Sequence, residues 1–278
     1  MKFSLDSIAV VLEGGRRALD GVSFDLSEGE RVAIIGPSGA GKTTLLKVLS
    51  TGLRAESGSL TLGNHDPWTL SRAALRHLRS SIGMIYQAPP LPPRQRVVTA
   101  VLAGRLGRWP AWRSLASLAY PLDTAGAREG LRRVDLADRL FDRCDRMSGG
   151  QLQRVGVARV LYQQAKLILA DEPVSALDPQ LSDYVVGELC RESSDRGVSL
   201  VASLHAVDLA LRWFPRIVGL RDGRIAFDLP PARVTDAMLV ELYASESPVP
   251  PTQDNRPLEH APVRPSLVVN GRWPGCRP

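Results

Sequence analysis

Short apolar runs separated by turn residues dominate the first third of the chain and predict a succession of strands. Residues 18–26 alternate apolar and polar positions, which is typical of a strand with one buried face. Residues 31–35 are apolar after Arg31 and are followed by a glycine, which favours a strand buried in a parallel sheet. The same criteria predict strands at 3–12, 59–62 and 82–86 and helices at 43–49 and 70–79.

The segment from 88 to 147 has a different pattern, because helical spacing replaces the strand signals. A cluster of four prolines opens it, and helical runs follow at 124–136 and then at 152–162. Strand signals return at 167–170 and 198–203, with a helix predicted between them at 179–196. Strands that alternate with helices predict an α/β domain with a parallel sheet. We therefore interpret residues 1–245 as one α/β domain with a helical subdomain inserted at about 88–165.

The end of the chain has neither pattern. Residues 247–278 contain eight prolines and few apolar runs, so we predict that 246–278 form a disordered, proline-rich tail. The rest has the composition of an ordinary globular protein, with 44% hydrophobic and 23% charged residues overall.

Cysteine usage and the absence of long apolar runs suggest a reducing, cytoplasmic setting. The chain has three cysteines and no CxxC pair, which argues against a disulfide framework or a zinc site. The N-terminus reaches Asp6 before any apolar stretch develops, so a signal peptide is not expected. No run approaches the roughly 18 apolar residues of a spanning helix. If the protein acts at a membrane, another protein must hold it there.

Positive charge is concentrated in one part of the chain. The formal net charge is +6, and residues 67–122 contain eight Arg and no Asp or Glu. Such a one-signed surface suits an acidic partner, anionic lipid headgroups or nucleic acid. A solvated basic face without any partner is the alternative interpretation.

Residues 36–43, which read Gly-Pro-Ser-Gly-Ala-Gly-Lys-Thr, fit the phosphate-binding pattern G-x-x-x-x-G-K-[ST]. Glycines allow the backbone to wrap closely around phosphate oxygens, and the N–H groups of the loop and of the following helix favour an anion. Lys42 is expected to reach the β- and γ-phosphates, and the Thr43 hydroxyl to bind Mg²⁺. The motif lies between a predicted strand and a predicted helix, which is the context that it requires.

A second acidic element supports the same site. The apolar run 167–170 ends in Asp171 and Glu172, so a strand would carry two carboxylates to the edge of the sheet beside the loop. Asp171 is placed to hold Mg²⁺, directly or through water, and Glu172 to polarise an attacking water molecule.

Further along, Met147-Ser148-Gly149-Gly150-Gln151 resembles the signature motif of ABC ATPases, with Met in place of the usual Leu. Other matches follow in the order of that family: Gln87 resembles its Q-loop glutamine, residues 175–178 (Ser-Ala-Leu-Asp) its D-loop, and His205 its switch histidine. The resemblance covers about 1–245. It implies a P-loop NTPase fold with a parallel core sheet, an N-terminal antiparallel β subdomain and the inserted helical subdomain.

The resemblance also implies the ligands and the assembly. ATP and Mg²⁺ would be bound, and the signature of one copy would close over ATP held by the loop of another, so that a two-fold homodimer encloses two nucleotides. The expected nucleotide-binding residues are Gly36, Pro37, Ser38, Gly39, Ala40, Gly41, Lys42, Thr43, Thr44, Ser148, Gly149, Gly150, Gln151 and Asp178. The expected catalytic residues are Glu172, His205 and Gln87, and the expected Mg²⁺ residues are Thr43, Gln87 and Asp171.

One departure from the family concerns the base. ABC ATPases usually carry an aromatic residue ahead of the loop that stacks on adenine, by position near residues 11–12. No aromatic residue lies between Phe3 and Phe24 here. Adenine would then rest on an aliphatic surface, or on a residue that the sequence does not identify.

Within the family, residues 101–109, 112–115, 203–210 and 219–224 are similar to the ATPases of bacterial phosphonate importers. That similarity implies membrane permease subunits as partners, an indirect link to a periplasmic solute-binding protein, and a peripheral position on the cytoplasmic face of the bacterial inner membrane. Nucleic acid is not expected as a partner.

Other functions remain open from the sequence. Transporters of phosphate, amino acids or another oxyanion, and exporters of lipoproteins or peptides, use related ATPases. An ABC ATPase acting on DNA would carry a long coiled coil, and the residues between the two glycine-rich motifs show no sustained heptads. An ABC translation factor would need two motif sets, and a GTPase would need an N-K-x-D motif, which is absent.

Overall fold

The chain forms two β-sheets in the computed structural model, which describes residues 1–244. The strands are β1 (Phe3–Val11), β2 (Arg17–Leu26), β3 (Arg31–Ile35), β4 (Ser57–Leu62), β5 (Ile82–Ile85), β6 (Leu167–Asp171), β7 (Ser199–Ser203), β8 (Arg216–Arg221) and β9 (Arg224–Leu229). The helices are α1 (Lys42–Leu49), α2 (Arg72–Ser80), α3 (Val97–Leu102), α4 (Ala111–Ala119), α5 (Thr124–Arg132), α6 (Gly149–Gln163), α7 (Pro179–Arg196), α8 (Val207–Trp213) and α9 (Asp236–Tyr243). The proline-rich tail predicted at 246–278 lies outside the described residues.

The larger sheet has the strand order β5-β6-β7-β3-β8-β9. Its first five strands are parallel, and β9 pairs antiparallel with β8 at the edge. The smaller sheet, in the order β2-β1-β4, is antiparallel. These sheets and the helices between them confirm the predicted fold class: an α/β fold with a parallel core sheet, an N-terminal antiparallel β subdomain and an inserted helical subdomain.

Two hydrophobic cores lie against the larger sheet, as the continuous apolar run of β3 requires. Alternate residues of β3 enter different cores: Val32 and Ile34 pack with α1 and the N-terminal sheet, whereas Ala33 and Ile35 pack with the helical side. All four are fully buried. Because both faces of the sheet are covered, the ends of its strands are where polar side chains can meet for chemistry.

The helices α3 to α6 lie between β5 and β6 in the chain, in the segment where the sequence predicts a helical subdomain. The run predicted at 124–136 is too long, because α5 ends at Arg132 and Asp135 adopts a left-handed backbone with φ of 54°. Just past α5, Arg133 pairs with Glu188 at 3.0 Å and with Glu192 at 2.7 Å, both on α7. These largely buried ion pairs join the helical segment to the α/β core.

Helix α4 is amphipathic, but unlike a typical surface helix it exposes its apolar face and buries a polar residue. Ser117 faces inward with only 2% of its surface exposed, and its hydroxyl has no hydrogen-bond partner. Trp112, Leu115 and Leu118 are exposed by 70%, 69% and 53%, and Tyr120 just after the helix by 72%. The outer face of α4 is therefore an exposed apolar patch, which is typical of an interaction surface.

The structure also bears on the expectations about membrane-spanning helices and cysteines. Among residues 1–244, no helix has the length and hydropathy needed to cross a membrane. Cys144 and Cys190 are buried free thiols, and burial raises the pKa of the Cys190 thiol to about 11. That thiol is therefore protonated and unreactive at neutral pH.

Candidate functional site

The loop at 36–43 is held in shape by close backbone contacts that only glycine permits. Gly36 has a φ of 149°, and a Cβ there would lie 2.0 Å from the Leu220 carbonyl oxygen. Gly41 has a φ of 106°, and a Cβ there would lie 2.4 Å from the Ala18 carbonyl oxygen. Gly41 is also the residue from which α1 begins. The N-terminal N–H groups of α1 therefore open directly onto the loop, which makes it an anion-binding turn.

Lys42 lies within this turn with 5% of its surface exposed. Its Nζ donates to the carbonyl oxygens of Gly36 at 2.7 Å and Pro37 at 3.0 Å. The buried ammonium is thus already positioned inside the ring of the loop, and phosphate oxygens can replace these carbonyls as its acceptors.

Asp171 ends β6 beside the loop and lies within hydrogen-bonding distance of it. Its Oδ1 accepts from the Thr43 hydroxyl at 3.0 Å and from the Ser203 hydroxyl at 2.8 Å. The hydroxyl and carboxylate oxygens together are the hard donors that Mg²⁺ prefers. Residues 1–244 contain no cluster of three or more His, Cys, Asp or Glu side chains that could hold a metal by themselves. The pair fits Mg²⁺ in the usual way, with one or two protein oxygens and the rest from phosphate and water.

Three of the expected side chains meet next to this point. Glu172 Oε2 accepts from Gln87 Nε2 at 2.7 Å, and Glu172 Oε1 lies 2.6 Å from His205 Nε2. The three residues follow the ends of β5, β6 and β7, which are neighbours in the sheet. The Gln87 side chain therefore donates to the Glu172 carboxylate rather than to Thr43 or Asp171.

Glu172 owes its direction to an unusual backbone conformation. Its φ is 47°, in the left-handed region that residues other than glycine seldom adopt. Its N–H donates to the Ser203 hydroxyl at 3.0 Å. This turn interrupts the regular strand geometry after Asp171. The two consecutive carboxylates therefore lie at the same sheet edge, with Asp171 bonded to Thr43 and Glu172 bonded to Gln87.

The second glycine-rich motif lies on the surface at the start of α6. Ser148 caps this helix: its Oγ accepts from the Gln151 N–H at 3.2 Å, and its own N–H donates to Gln151 Oε1 at 2.9 Å. A Cβ at Gly149 would have no atom within 4 Å, whereas one at Gly150 would lie 2.7 Å from the Ala176 carbonyl oxygen. The exposed side of the motif is open. Asp178 likewise caps a helix, accepting from Leu181 N–H at 2.9 Å at the start of α7.

The tip of the hairpin between β1 and β2 borders the phosphate loop on another side. A Cβ at Gly39 would have Arg16 Nη1 as its nearest neighbour, at 3.8 Å. Arg16 is exposed and forms no ion pair with the described residues, unlike the adjacent Arg17, which pairs with Asp20 at 2.7 Å. Leu12 lies partly buried in the same hairpin. Leu12 and Arg16 are therefore the side chains that lie where the family usually has the aromatic residue that stacks on adenine.

Three residues of the site escaped the sequence interpretation. Ser203 bridges Asp171 and Glu172, Gln153 is a fully buried amide beneath Glu172, and Tyr243 accepts at its hydroxyl from the Gly36 N–H at 3.2 Å. Ser203 ends a predicted strand and could have been found as the residue beside the acids. The other two depend on tertiary packing, and no sequence signal identifies them.

The Arg-rich stretch only partly forms a free surface. Arg105 Nε donates to the Tyr162 carbonyl at 2.8 Å, and its guanidinium stacks on the Tyr162 ring. Arg108 Nε donates to the Ser80 carbonyl at 3.1 Å, and Arg113 stacks on Trp109. These arginines therefore stabilise the helical segment itself, and their positive charge does not by itself indicate a binding partner.

Comparison with known proteins gives consistent matches. The family profile described as ABC transporter matches residues 19–175. The chain is 61% identical over 280 residues to "Phosphonates import ATP-binding protein PhnC 1" of Cupriavidus necator, and the match covers all of both chains. It is 62% identical to "Phosphonates import ATP-binding protein PhnC 2" of Pseudomonas aeruginosa over 88% of this chain and 92% of that protein.

Solved structures agree with these sequence matches. A dimeric ATP-binding cassette in a post-hydrolysis state bound to ADP and Pi has a TM-score of 0.70 and 26% identity, covering 82% of this chain and 98% of that one. An ATP-binding cassette of an ABC transporter in its ADP conformation has a TM-score of 0.73 and 25% identity, covering 88% of this chain and 100% of that one.

Proposed function

The chain belongs to the ABC transporter ATPase family, and from this premise we propose that it hydrolyses ATP to drive import of a phosphonate or a related phosphorus oxyanion. The observation that carries the proposal is the junction of the phosphate loop with the acidic end of β6, where the Thr43 hydroxyl lies 3.0 Å from Asp171. The cargo comes from the similarity to phosphonate import proteins.

The loop at 36–43 binds the phosphates through its backbone N–H groups and the Lys42 ammonium. Thr43 and Asp171 would hold Mg²⁺, which when bound would neutralise charge on the phosphate oxygens. Glu172 accepts a proton from the attacking water molecule, and His205 and Gln87 hold its carboxylate in place. His205 also donates toward the γ-phosphate. The adenine ring of ATP lies against Leu12 and Arg16.

A second copy of the chain completes the site. Ser148 and Gly149 present an exposed helix N-terminus, and the related dimeric cassette supports a head-to-tail pair in which this surface covers the partner's nucleotide. Glu172→Gln should bind ATP without hydrolysing it and should therefore accumulate as a dimer. Gel filtration with MgATP tests this. A variant that stays monomeric while saturated with ATP would contradict the shared site.

Membrane permease subunits dock on the helical side. A groove there is lined by Arg76, Arg79, Tyr86, Pro89, Leu91 and Arg159. Arg108, which precedes α4 in the chain, donates to the carbonyl oxygen of Ser80 in this groove at 3.1 Å. Helix α4, with its outward apolar face, follows directly. A basic groove flanked by exposed Trp and Leu side chains suits an acidic or amphipathic segment of a membrane protein. The association makes the chain a peripheral protein of the cytoplasmic face of the inner membrane.

A growth assay in the host tests both cargo and docking. A deletion strain should lose growth on a phosphonate as sole phosphorus source and keep growth on phosphate. The double variant Trp112→Ser/Leu115→Ser should fail to restore growth although the purified protein retains its ATPase activity, because both side chains are exposed. Val240→Ser, equally exposed at 72% on α9, is the matched control and should restore growth. Full growth with the double variant would refute docking through α4, and unimpaired phosphonate growth of the deletion strain would refute the cargo.

A further inference from the structure

Gln153 connects the helix of the second glycine-rich motif to the residues that surround Glu172. It lies on the second turn of α6, five residues after Ser148, and none of its surface is exposed. A fully buried amide requires partners for its donors and its acceptor, because an unpaired polar group in the interior is costly. The partners of Gln153 are therefore informative about what it holds in place.

All of these partners belong to the catalytic edge of the sheet. Gln153 Nε2 donates to the Glu172 carbonyl oxygen at 2.7 Å, to the Ser175 hydroxyl at 3.2 Å and, more weakly, to the Gln87 carbonyl oxygen at 3.4 Å. Its Oε1 accepts from the Ala176 N–H at 3.1 Å. One side chain thus contacts the segments that carry Gln87, Glu172 and residues 175–178.

The contact with Glu172 falls on a strained point of the backbone. Glu172 has a φ of 47°, and a non-glycine residue keeps such a conformation only when its surroundings impose it. Hydrogen bonds at both ends of the residue do so: Ser203 Oγ accepts from the Glu172 N–H, and the Glu172 carbonyl accepts from Gln153 Nε2 at 2.7 Å and from the Ser175 N–H of its own turn at 3.3 Å. Without Gln153 the carbonyl keeps only the longer bond within its own turn, so the peptide after Glu172 can relax, and the carboxylate would no longer point at Gln87 and His205.

We propose that Gln153 is a positioning residue that fixes the backbone turn at Glu172 and thereby makes hydrolysis depend on the placement of α6. Because Ser148 caps α6 and Gln153 lies on its second turn, a displacement of the helix N-terminus moves the amide that holds Glu172. The proposal deepens the ATPase function proposed above and rests on it. Gln153 does not contact the phosphate loop through any of its four hydrogen bonds, so nucleotide affinity should not depend on it.

The test compares two glutamines of α6 in the full-length protein. Gln153→Met keeps the side-chain volume and removes every hydrogen bond. Gln163→Met is the matched control, because Gln163 Nε2 also donates to backbone carbonyls, those of Ser80 and Ile82, but away from Glu172. For each variant, the ATP dissociation constant is measured by calorimetry, kcat by phosphate release and the melting temperature by circular dichroism.

We expect kcat of Gln153→Met to fall at least about tenfold with ATP affinity within about twofold of the wild type, and kcat of Gln163→Met to stay within about twofold. An unchanged kcat for Gln153→Met would overturn the proposal. So would a parallel loss of kcat and affinity, or an equal loss of kcat in Gln163→Met, since these indicate a general structural role.

If Gln153→Met does not fold, Gln153→Glu decides by the same criteria. Its carboxylate keeps the acceptor for Ala176 and loses the N–H that reaches the Glu172 carbonyl. Failure of the ATPase function itself would be recognised separately, because the wild-type protein would then show no ATP binding or no hydrolysis.

Discussion

The two glycine-rich segments at 36–43 and 148–151 both precede a helix N-terminus, but they differ in how much of an anion-binding site the chain itself provides. Each leads into a helix whose first N–H groups can bind an anion. At 36–43 the chain itself closes the site: Lys42 is buried, and Leu220 and Ala18 press against its glycines. At 148–151 Ser148 and Gly149 face solvent, and the capping serine is satisfied only by its own helical turn.

This difference separates what one chain can do alone from what it needs a second copy for. The first segment has a buried ammonium, Lys42, and lies at the same sheet edge as the proposed Mg²⁺ pair, Thr43 and Asp171, and the proposed general base, Glu172. The second has a helix N-terminus and an open surface but no charged group of its own. A single chain should therefore bind a nucleotide, whereas the second segment contributes only when an anion is brought to it from outside.

Lys42→Ala should cause the largest effect, because it removes the only buried cation among the described parts of the loop. Loss of one member of a buried charge pair costs enough to lower ATP affinity by roughly 100-fold or more. Calorimetric titration of ATP measures this. Lys47→Ala, an exposed lysine on the same helix, is the control and should bind normally. Tight ATP binding by Lys42→Ala would show that the loop does not hold the phosphates as described.

Ser148→Asp should separate the two segments. Aspartate caps a helix as well as serine does, so α6 should remain folded, but its charge opposes a phosphate brought to the surface. We expect ATP affinity within about twofold of the wild type and hydrolysis reduced by about 100-fold, since like charges in contact cost several kcal/mol. Calorimetric titration measures the ATP affinity, and phosphate release measures the rate of hydrolysis.

The control for Ser148→Asp is Ser71→Asp, the same change at the cap of α2. It should leave hydrolysis unaltered. Normal hydrolysis by Ser148→Asp would mean that the exposed motif never meets a nucleotide, and the comparison between a complete and an incomplete site would fail.

The sequence predicted those parts of the site that depend on local structure. The phosphate loop needs glycines at fixed spacing, and the acids at 171–172 follow a buried strand, so both could be found without coordinates. The fold class followed from the alternation of strands and helices. The edge strand β9 and the helix α9 were not predicted, because their half-exposed patterns are short and resemble those of loops.

Long-range contacts account for what the sequence could not supply. Gln153 is one of several polar residues on α6, and only the packing of α6 under the sheet edge brings it to Glu172. Tyr243 reaches Gly36 across 207 positions of the chain. The reversed amphipathicity of α4 was also hidden, because a helix with one apolar face is normally expected to bury it.

The smallest effect concerns the end of the nucleotide that the glycine loop does not hold. Arg16 lies beside Gly39 without an ion pair in the described residues, and a planar guanidinium can stack on a base. Arg16→Ala should therefore weaken ATP binding by about fivefold and leave binding of inorganic tripolyphosphate unchanged. Arg17→Ala, whose guanidinium is already paired with Asp20, should affect neither ligand. Calorimetry with both ligands distinguishes the outcomes: an equal loss for ATP and tripolyphosphate would place Arg16 on the phosphates, so that the loop at 36–43 would no longer account for their binding with its own residues.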